Sequence, residues 1–265
     1  MTVQGKVPLF VGAAENRCWS LRCCRRRMNL SHGGERVILV MFDIDGTLTE
    51  SYAYDQQAYA DAFLDATGYP GVSTDWHSYR HVTSHCITRE AICHHRGREA
   101  QPDEVQAVEL AMLKRLQALQ RREPKQFCEV AGASAFLSYL RELDGVAVSI
   151  ATGCWLSEAR FKLEASGLDV SGLPLAASED GDSRIEIMAA SQKKALHVCK
   201  QPVFEQVIYF GDGIWDMKAA AALGYEFVGI GQRLDRLSEA GALHLYRDYC
   251  DRDVLAATLA TMMSR

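Results

Sequence analysis

Val37-Ile38-Leu39-Val40-Met41-Phe42 runs directly into Asp43-Ile44-Asp45-Gly46-Thr47-Leu48-Thr49. The first six residues are continuously apolar and rich in branched side chains, the pattern of a strand buried on both faces. Two carboxylates two residues apart then fall at the strand's C-terminal end, the edge where open α/β sheets bind ligands. Adjacent carboxylates repel, and burying them unpaired is costly. A hard cation with oxygen ligands relieves that conflict, and Mg2+ is the natural choice. Gly46 allows a sharp turn, which the Thr47 hydroxyl is expected to fix.

Outward from this stretch the chain alternates strands and helices. Val146–Ala151, Gln206–Phe210 and Glu226–Ile230 repeat the buried-strand pattern. Helices are expected around Phe136, Leu137, Leu140 and Leu143, over Trp155–Ser166 up to Gly167, over Ile185–Lys200 ahead of Pro202, and over Trp215–Leu223 up to Gly224. Such alternation predicts a parallel sheet with right-handed crossovers. Residues 51–127 interrupt it. They hold no buried strand, a helix over Tyr52–Ala66, and another starting at Pro102 with Val105, Val108, Met112, Leu116 and Leu119 at helical spacing and Pro124 as its stop. The expected organisation is a basic, disordered extension over 1–34, an α/β core over 35–50 and 128–265, and a helical insert over 51–127.

Composition narrows the function classes. The chain has 265 residues, 29 basic and 34 acidic, with 48% apolar residues. Residues 1–34 hold six basic side chains and one acid, +5, so the remaining 231 carry −10. An acidic body argues against nucleic acid as a partner. No apolar run approaches the ~20 residues needed to cross a bilayer, so no membrane is expected. The nine cysteines are odd in number and irregularly spaced, which suits reduced thiols and a cytoplasmic location.

Two further strand ends carry polar groups. Ile150-Ala151-Thr152-Gly153 offers a hydroxyl and free backbone N–H groups at a strand-to-helix junction, suited to an anion. Phe210-Gly211-Asp212-Gly213-Ile214-Trp215-Asp216 puts Asp212 at a strand end and Asp216 on the next helix's first turn. Together the three segments resemble the haloacid dehalogenase superfamily over roughly residues 36–245. The first matches D-x-D-G-T, Thr152 the Thr/Ser of the second motif, and Asp212 and Asp216 the G-D-x-x-x-D of the fourth. The third motif departs from the usual pattern. Its cation is Arg184, just after the cap-like Ser183, or Lys193 or Lys194 further along the helix. Lys162 reads as a solvated side chain.

The resemblance implies a Rossmann-like core with a C1 helical cap, laid out as in phosphoglycolate phosphatases. It implies Mg2+-dependent hydrolysis of a small phosphorylated metabolite, with Asp43 as nucleophile and Asp45 as acid and base. Asp43, the Asp45 backbone carbonyl, Asp212 and Asp216 would serve the metal, and Thr152, Gly153 and Arg184 the phosphate. The presence of Asp45 separates the chain from relatives that lack it and need no metal. A phosphomutase of the β-phosphoglucomutase type would use the same residues, and a weakly catalytic binding protein on this scaffold is the third reading. His77, His81 and His85 would share one face if their stretch is helical, and Trp76, Tyr79, His81 and Thr83 are candidates for substrate contact. Trp155 would pack under the lid or in the core. Substrate identity and oligomeric state stay open.

Overall fold

The computed structural model describes residues 37–264. The basic extension expected over 1–34 lies outside the described residues.

β1 (Ile38–Phe42) is completely buried and central in a six-stranded parallel sheet of order β3-β2-β1-β4-β5-β6. The other strands are β2 (Val146–Ala151), β3 (Leu175–Ala176), β4 (Gln206–Gly211), β5 (Glu226–Ile230) and β6 (Leu245–Tyr246). Phe42 is in register with Ile150 of β2 and with Phe210 of β4. That register decides the site, because β1, β2 and β4 then end side by side and release Asp43, Thr152 and Asp212 at one edge of the sheet.

Alternation along β1 divides the core. Ile38, Val40 and Phe42 face α4 (Ala133–Glu142) and α9 (Arg252–Met263), packing with Phe136, Leu137, Leu140, Leu255 and Leu259. Leu39 and Met41 face α6 (Arg184–Cys199) and α7 (Ile214–Leu223), packing with Ile187, Met188, Ala219 and Ala220. Each such aliphatic side chain taken out of water contributes about 1.5–3 kcal/mol. Helices on both faces are what a parallel sheet of continuous apolar strands requires. α5 (Leu156–Ala165) follows β2, and the short α8 (Leu234–Glu239) lies between β5 and β6.

Between β1 and α4 the described chain forms α1 (Tyr52–Thr67), α2 (Ser84–Arg96) and α3 (Pro102–Arg122). Pro102 opens α3, and Glu104 accepts from the Gln101 N–H at 2.9 Å. These helices share a third apolar cluster, in which Tyr59 and Phe63 of α1 meet Ile87 of α2 and Val108 and Met112 of α3. Trp155, at the N-terminus of α5, is buried in this cluster rather than in those of the sheet. The incoming and outgoing connections run antiparallel, with Glu50 N–H on Cys128 O at 3.0 Å and Val130 N–H on Leu48 O at 2.9 Å. His77, His81 and His85 do not share a helix. His77 sits in a short 3-10 turn (Trp76–Ser78), His81 is in irregular chain, and α2 begins at Ser84 behind the Thr83 cap.

Candidate active site

The turn after β1 is tied by its backbone. Leu48 N–H and Thr49 N–H both donate to Ile44 O, at 2.8 and 2.9 Å, and Gly46 N–H donates to Thr49 O at 2.8 Å. The hydroxyl that braces it belongs to Thr49, which donates to Ile44 O at 3.3 Å. Thr47, expected in that role, keeps a buried hydroxyl without a hydrogen-bond partner. Gly46 adopts φ +74, and a Cβ there would collide with the Asp212 carboxylate. The turn therefore needs glycine twice, for its conformation and for the approach of Asp212.

Asp43, Asp212 and Asp216 converge, with one carboxylate oxygen from each lying within 4.8 Å of the others. Arg184, on the first turn of α6, donates from Nη1 to Asp43 Oδ1 at 3.0 Å. Its Nε stands 3.6 Å from Asp216 Oδ1, and neither of those two atoms has a hydrogen-bond partner. The other candidate cations lie elsewhere. Lys194 is spent on Asp180 Oδ2 at 2.7 Å and Leu175 O at 2.9 Å, and α6 carries Lys193 nine residues beyond Arg184, roughly 13 Å along the axis.

Burial raises the Asp43 carboxyl above its ordinary range, against the pull of Arg184. Burial also pushes Asp216 up to about 7, again opposed by Arg184. Asp212 is driven well above the normal carboxylate range by burial and by its neighbours Asp216 and Asp43. Three carboxyls resisting ionisation around one arginine are electrostatically unsatisfied. Together with the orphaned Asp216 Oδ1, they form a donor set of the hard-oxygen kind that suits a small divalent cation.

Thr152 is buried, and its Oγ1 accepts from the Cys154 N–H at 3.2 Å. Gly153 O accepts from Ser84 N–H at 2.7 Å, which ties the β2 edge to the start of α2. A Cβ on Gly153 would stand 2.7 Å from Val82 O and 3.0 Å from Arg184 Cζ. Asp43, Asp45, Gly153, Arg184 and Asp212 line one cavity together with Tyr52, Tyr59, Trp76 and Trp215. Of the four insert residues singled out for substrate contact, only Trp76 lines this cavity.

Asp45 points elsewhere than the three clustered aspartates. Its Oδ1 accepts from Ser51 Oγ and from Lys162 Nζ, the latter at 2.7 Å, and its Oδ2 lies 2.7 Å from Cys154 Sγ. Burial would raise this carboxyl, but Lys162 and the hydrogen bonds hold it below its ordinary value. Lys162 is thus not the solvated side chain its sequence context suggests. Its side chain is fully buried, and Nζ also reaches Asp55 Oδ1 and Glu158 Oε1, each at 2.6 Å. Glu158 and Lys162 stand four apart on α5, immediately after the Thr152 strand end. That spacing was the only trace in the sequence of a paired buried charge.

Residues 39–224 match the profile of the haloacid dehalogenase-like hydrolases, and the chain belongs to that family. Solved structures of similar fold include a hydrolase from Pseudomonas syringae, 24% identical, covering 81% of this chain and 94% of its own, with a TM-score of 0.61. A candidate beta-phosphoglucomutase from Bacteroides vulgatus is 17% identical over 87% of this chain and 91% of its own, with a TM-score of 0.63. A predicted phosphoglycolate phosphatase from Haemophilus somnus is 17% identical over 85% of this chain and all of its own, with a TM-score of 0.55. No curated protein matches the chain.

Proposed function

We propose that this chain is a Mg2+-dependent phosphatase that hydrolyses a small phosphate monoester through a phosphoryl group carried on Asp43. The observation that supports this most directly is the convergence of Asp43, Asp212 and Asp216 around Arg184 at a sheet edge open to a cavity. Asp43, Asp212, Asp216 and the Asp45 backbone carbonyl are the groups that would hold the metal. A bound divalent cation supplies charge neutralisation for the phosphoryl oxygens and for the anionic nucleophile.

The chain's own groups then divide the work. Arg184, the Thr152 hydroxyl and the Gly153 backbone N–H hold the phosphate against Asp43, the Thr152 N–H being engaged by Ala176 O at 3.0 Å. An Asp43 carboxylate oxygen bonds to phosphorus as the ester P–O bond breaks. Asp45, on the wall of the same cavity, carries a proton to the departing alcohol; Lys162 holds it ionised in the present arrangement, so it takes that proton from solvent when substrate enters. It next takes a proton from water, whose oxygen bonds to phosphorus as the bond to Asp43 Oδ breaks and phosphate leaves. We read residues 51–127 as a lid over this chemistry, supported by their separate apolar cluster and by the contribution of Tyr52, Tyr59 and Trp76 to the cavity wall.

A reducing compartment such as the cytoplasm is the proposed setting, supported by six described cysteines that form no disulfide. No described helix is long and apolar enough to cross a membrane.

The test is release of p-nitrophenol from p-nitrophenyl phosphate by the full chain, with Mg2+ or with EDTA, beside Asp43→Asn. Metal-dependent release that disappears in the variant is expected, with Mg2+ raising the Tm of wild type more than that of the variant. Undiminished turnover by Asp43→Asn overturns the reading. A phosphoenzyme that resists water and turns over only with an added sugar bisphosphate assigns the chain to the mutases instead.

A further inference from the structure

The cavity beside Asp43 does not end at the aspartates. Tyr52 and Gln56 of α1, Trp76 of the insert and Trp215 of α7 line it, and the same four side chains line a second cavity of about 320 Å³. The two spaces adjoin across these four residues. The second cavity is also lined by Arg233, immediately before α8, by Arg236 within α8, and by His77 of the insert. The mechanism above uses none of these three.

The arginines are placed but not paired. No carboxylate among the described residues forms an ion pair with either of them. Asp75, the acid on this wall, accepts from the His77 N–H at 3.2 Å, and Glu50 accepts from Gln232, next to Arg233, at 3.2 Å. Arg233 sits over the Tyr52 ring, with Cζ 3.6 Å from its centroid. A guanidinium held over a ring keeps its fork of N–H groups for a further partner, and that fork matches a carboxylate or a phosphate. Tyr52 is itself fixed, because Gln56 Nε2 donates to its hydroxyl and to Thr74 O, each at 3.2 Å. The His77 and Trp215 rings meet with centroids 5.3 Å apart, which joins insert to core beside these residues. In a body that carries −10 outside residues 1–34, two unpaired arginines on one concave wall stand out as a local anion-attracting feature.

We infer that this second cavity is a specificity subsite: the substrate's alcohol carries a second anionic group, a carboxylate or a phosphate, which Arg233 and Arg236 hold while the reacting phosphate lies at Asp43. The inference rests on the phosphatase reading of the adjoining cavity. Tyr52, Trp76 and Trp215 give the carbon skeleton between the two anions an apolar wall. The arginines touch the substrate but not the reacting atoms, so they set preference among esters rather than the chemistry of transfer.

The experiment compares ω-carboxyalkyl phosphates and alkanediol bisphosphates with plain alkyl phosphates, matched over chains of about two to six carbons. It measures kcat/KM with Mg2+ for wild type, Arg233→Gln and Arg236→Gln. Calorimetry follows binding of the matching phosphonates, whose P–C bond resists hydrolysis. Hydrogen bonds to charged groups are worth about 10–100-fold in affinity. Wild type is expected to prefer a charged series at least tenfold over the plain one at its best length, and Arg233→Gln to reduce that preference below threefold. The better of the two charged series names the second anion. No preference at any length in wild type, or a preference kept by Arg233→Gln, overturns the inference. Should circular dichroism show Arg233→Gln unfolded, Arg236→Gln decides by the same criterion. Turnover without preference refutes the subsite and leaves the phosphatase reading standing. A protein inert toward every ester that still prefers the charged phosphonates through Arg233 keeps the subsite and refutes the phosphatase reading.

Discussion

Arg184 Nη1 and Asp43 Oδ1 lie 3.0 Å apart, joining the first turn of α6 to the end of β1 across 141 residues of sequence. The pair is buried on both sides, at 11% and 2% side-chain exposure. Removing one member of such a pair leaves an uncompensated charge and typically costs about 3–5 kcal/mol. Arg184→Met is therefore expected to lose most of its turnover and to unfold at lower denaturant concentration in EDTA. Mg2+ should recover part of the stability, because a cation compensates the same carboxylates. Denaturation curves with and without Mg2+ check this, and a variant as stable as wild type in EDTA contradicts it.

Burial drives the Asp55 carboxyl up to about 8, with Lys162 pulling it down and Asp45 and Glu158 pushing it further up. The folded chain thus keeps a proton on Asp55 that the unfolded chain releases near pH 4. Between these values folding takes up a proton, so this group's contribution to stability falls as pH rises from about 4 to about 8 and is flat above. The slope limit for one proton is about 1.4 kcal/mol per pH unit. Asp55→Asn cannot titrate, and its stability is expected to decline less than that of wild type between pH 5 and pH 8. Urea midpoints at three pH values measure the difference, and parallel pH profiles would remove Asp55 as the cause.

Gly46 offers a test of the turn itself. Alanine there meets both φ +74 and the Asp212 carboxylate. Left-handed backbone alone costs a non-glycine residue about 1–2 kcal/mol. The collision adds displacement of Asp212, so Gly46→Ala is expected to weaken Mg2+ binding at least tenfold as well as lowering stability. Titrating Mg2+ against Tm reads both effects at once.

Legibility in the sequence followed local pattern. β1, β2, β4 and β5 announced themselves as continuous apolar runs, and the acidic residues at their ends were recognisable because a polar cluster directly after such a run is conspicuous. β3 and β6 are two residues each and owe their strand geometry to the strands they pair with, so no run marks them. Lys162 was illegible for another reason. A lysine on a helix reads as solvated, and its partners Asp45 and Asp55 are 117 and 107 residues away. Arg184 was readable because a cap at Ser183 fixes where α6 begins, and the Ser183 Oγ does accept from the Glu186 N–H.

Gly153 connects the end of β2 to both the arginine and the insert. Any Cβ there meets Val82 O at 2.7 Å on one side and Arg184 Cζ at 3.0 Å on the other. Val82 O is backbone, held near by the Ser84 N–H bond to Gly153 O, whereas the arginine is a flexible side chain that yields first. Gly153→Ala is accordingly expected to displace the guanidinium from Asp43 while leaving most of the fold intact. Its kcat/KM on p-nitrophenyl phosphate should drop about 10–100-fold, the scale of losing part of one oriented charged donor. The Tm should move by only a few degrees. If Gly153 and Arg184 hold phosphate as proposed, inorganic phosphate should inhibit the variant more weakly than wild type. A variant that keeps its phosphate affinity would show that Gly153 and Arg184 do not form one phosphate-holding unit.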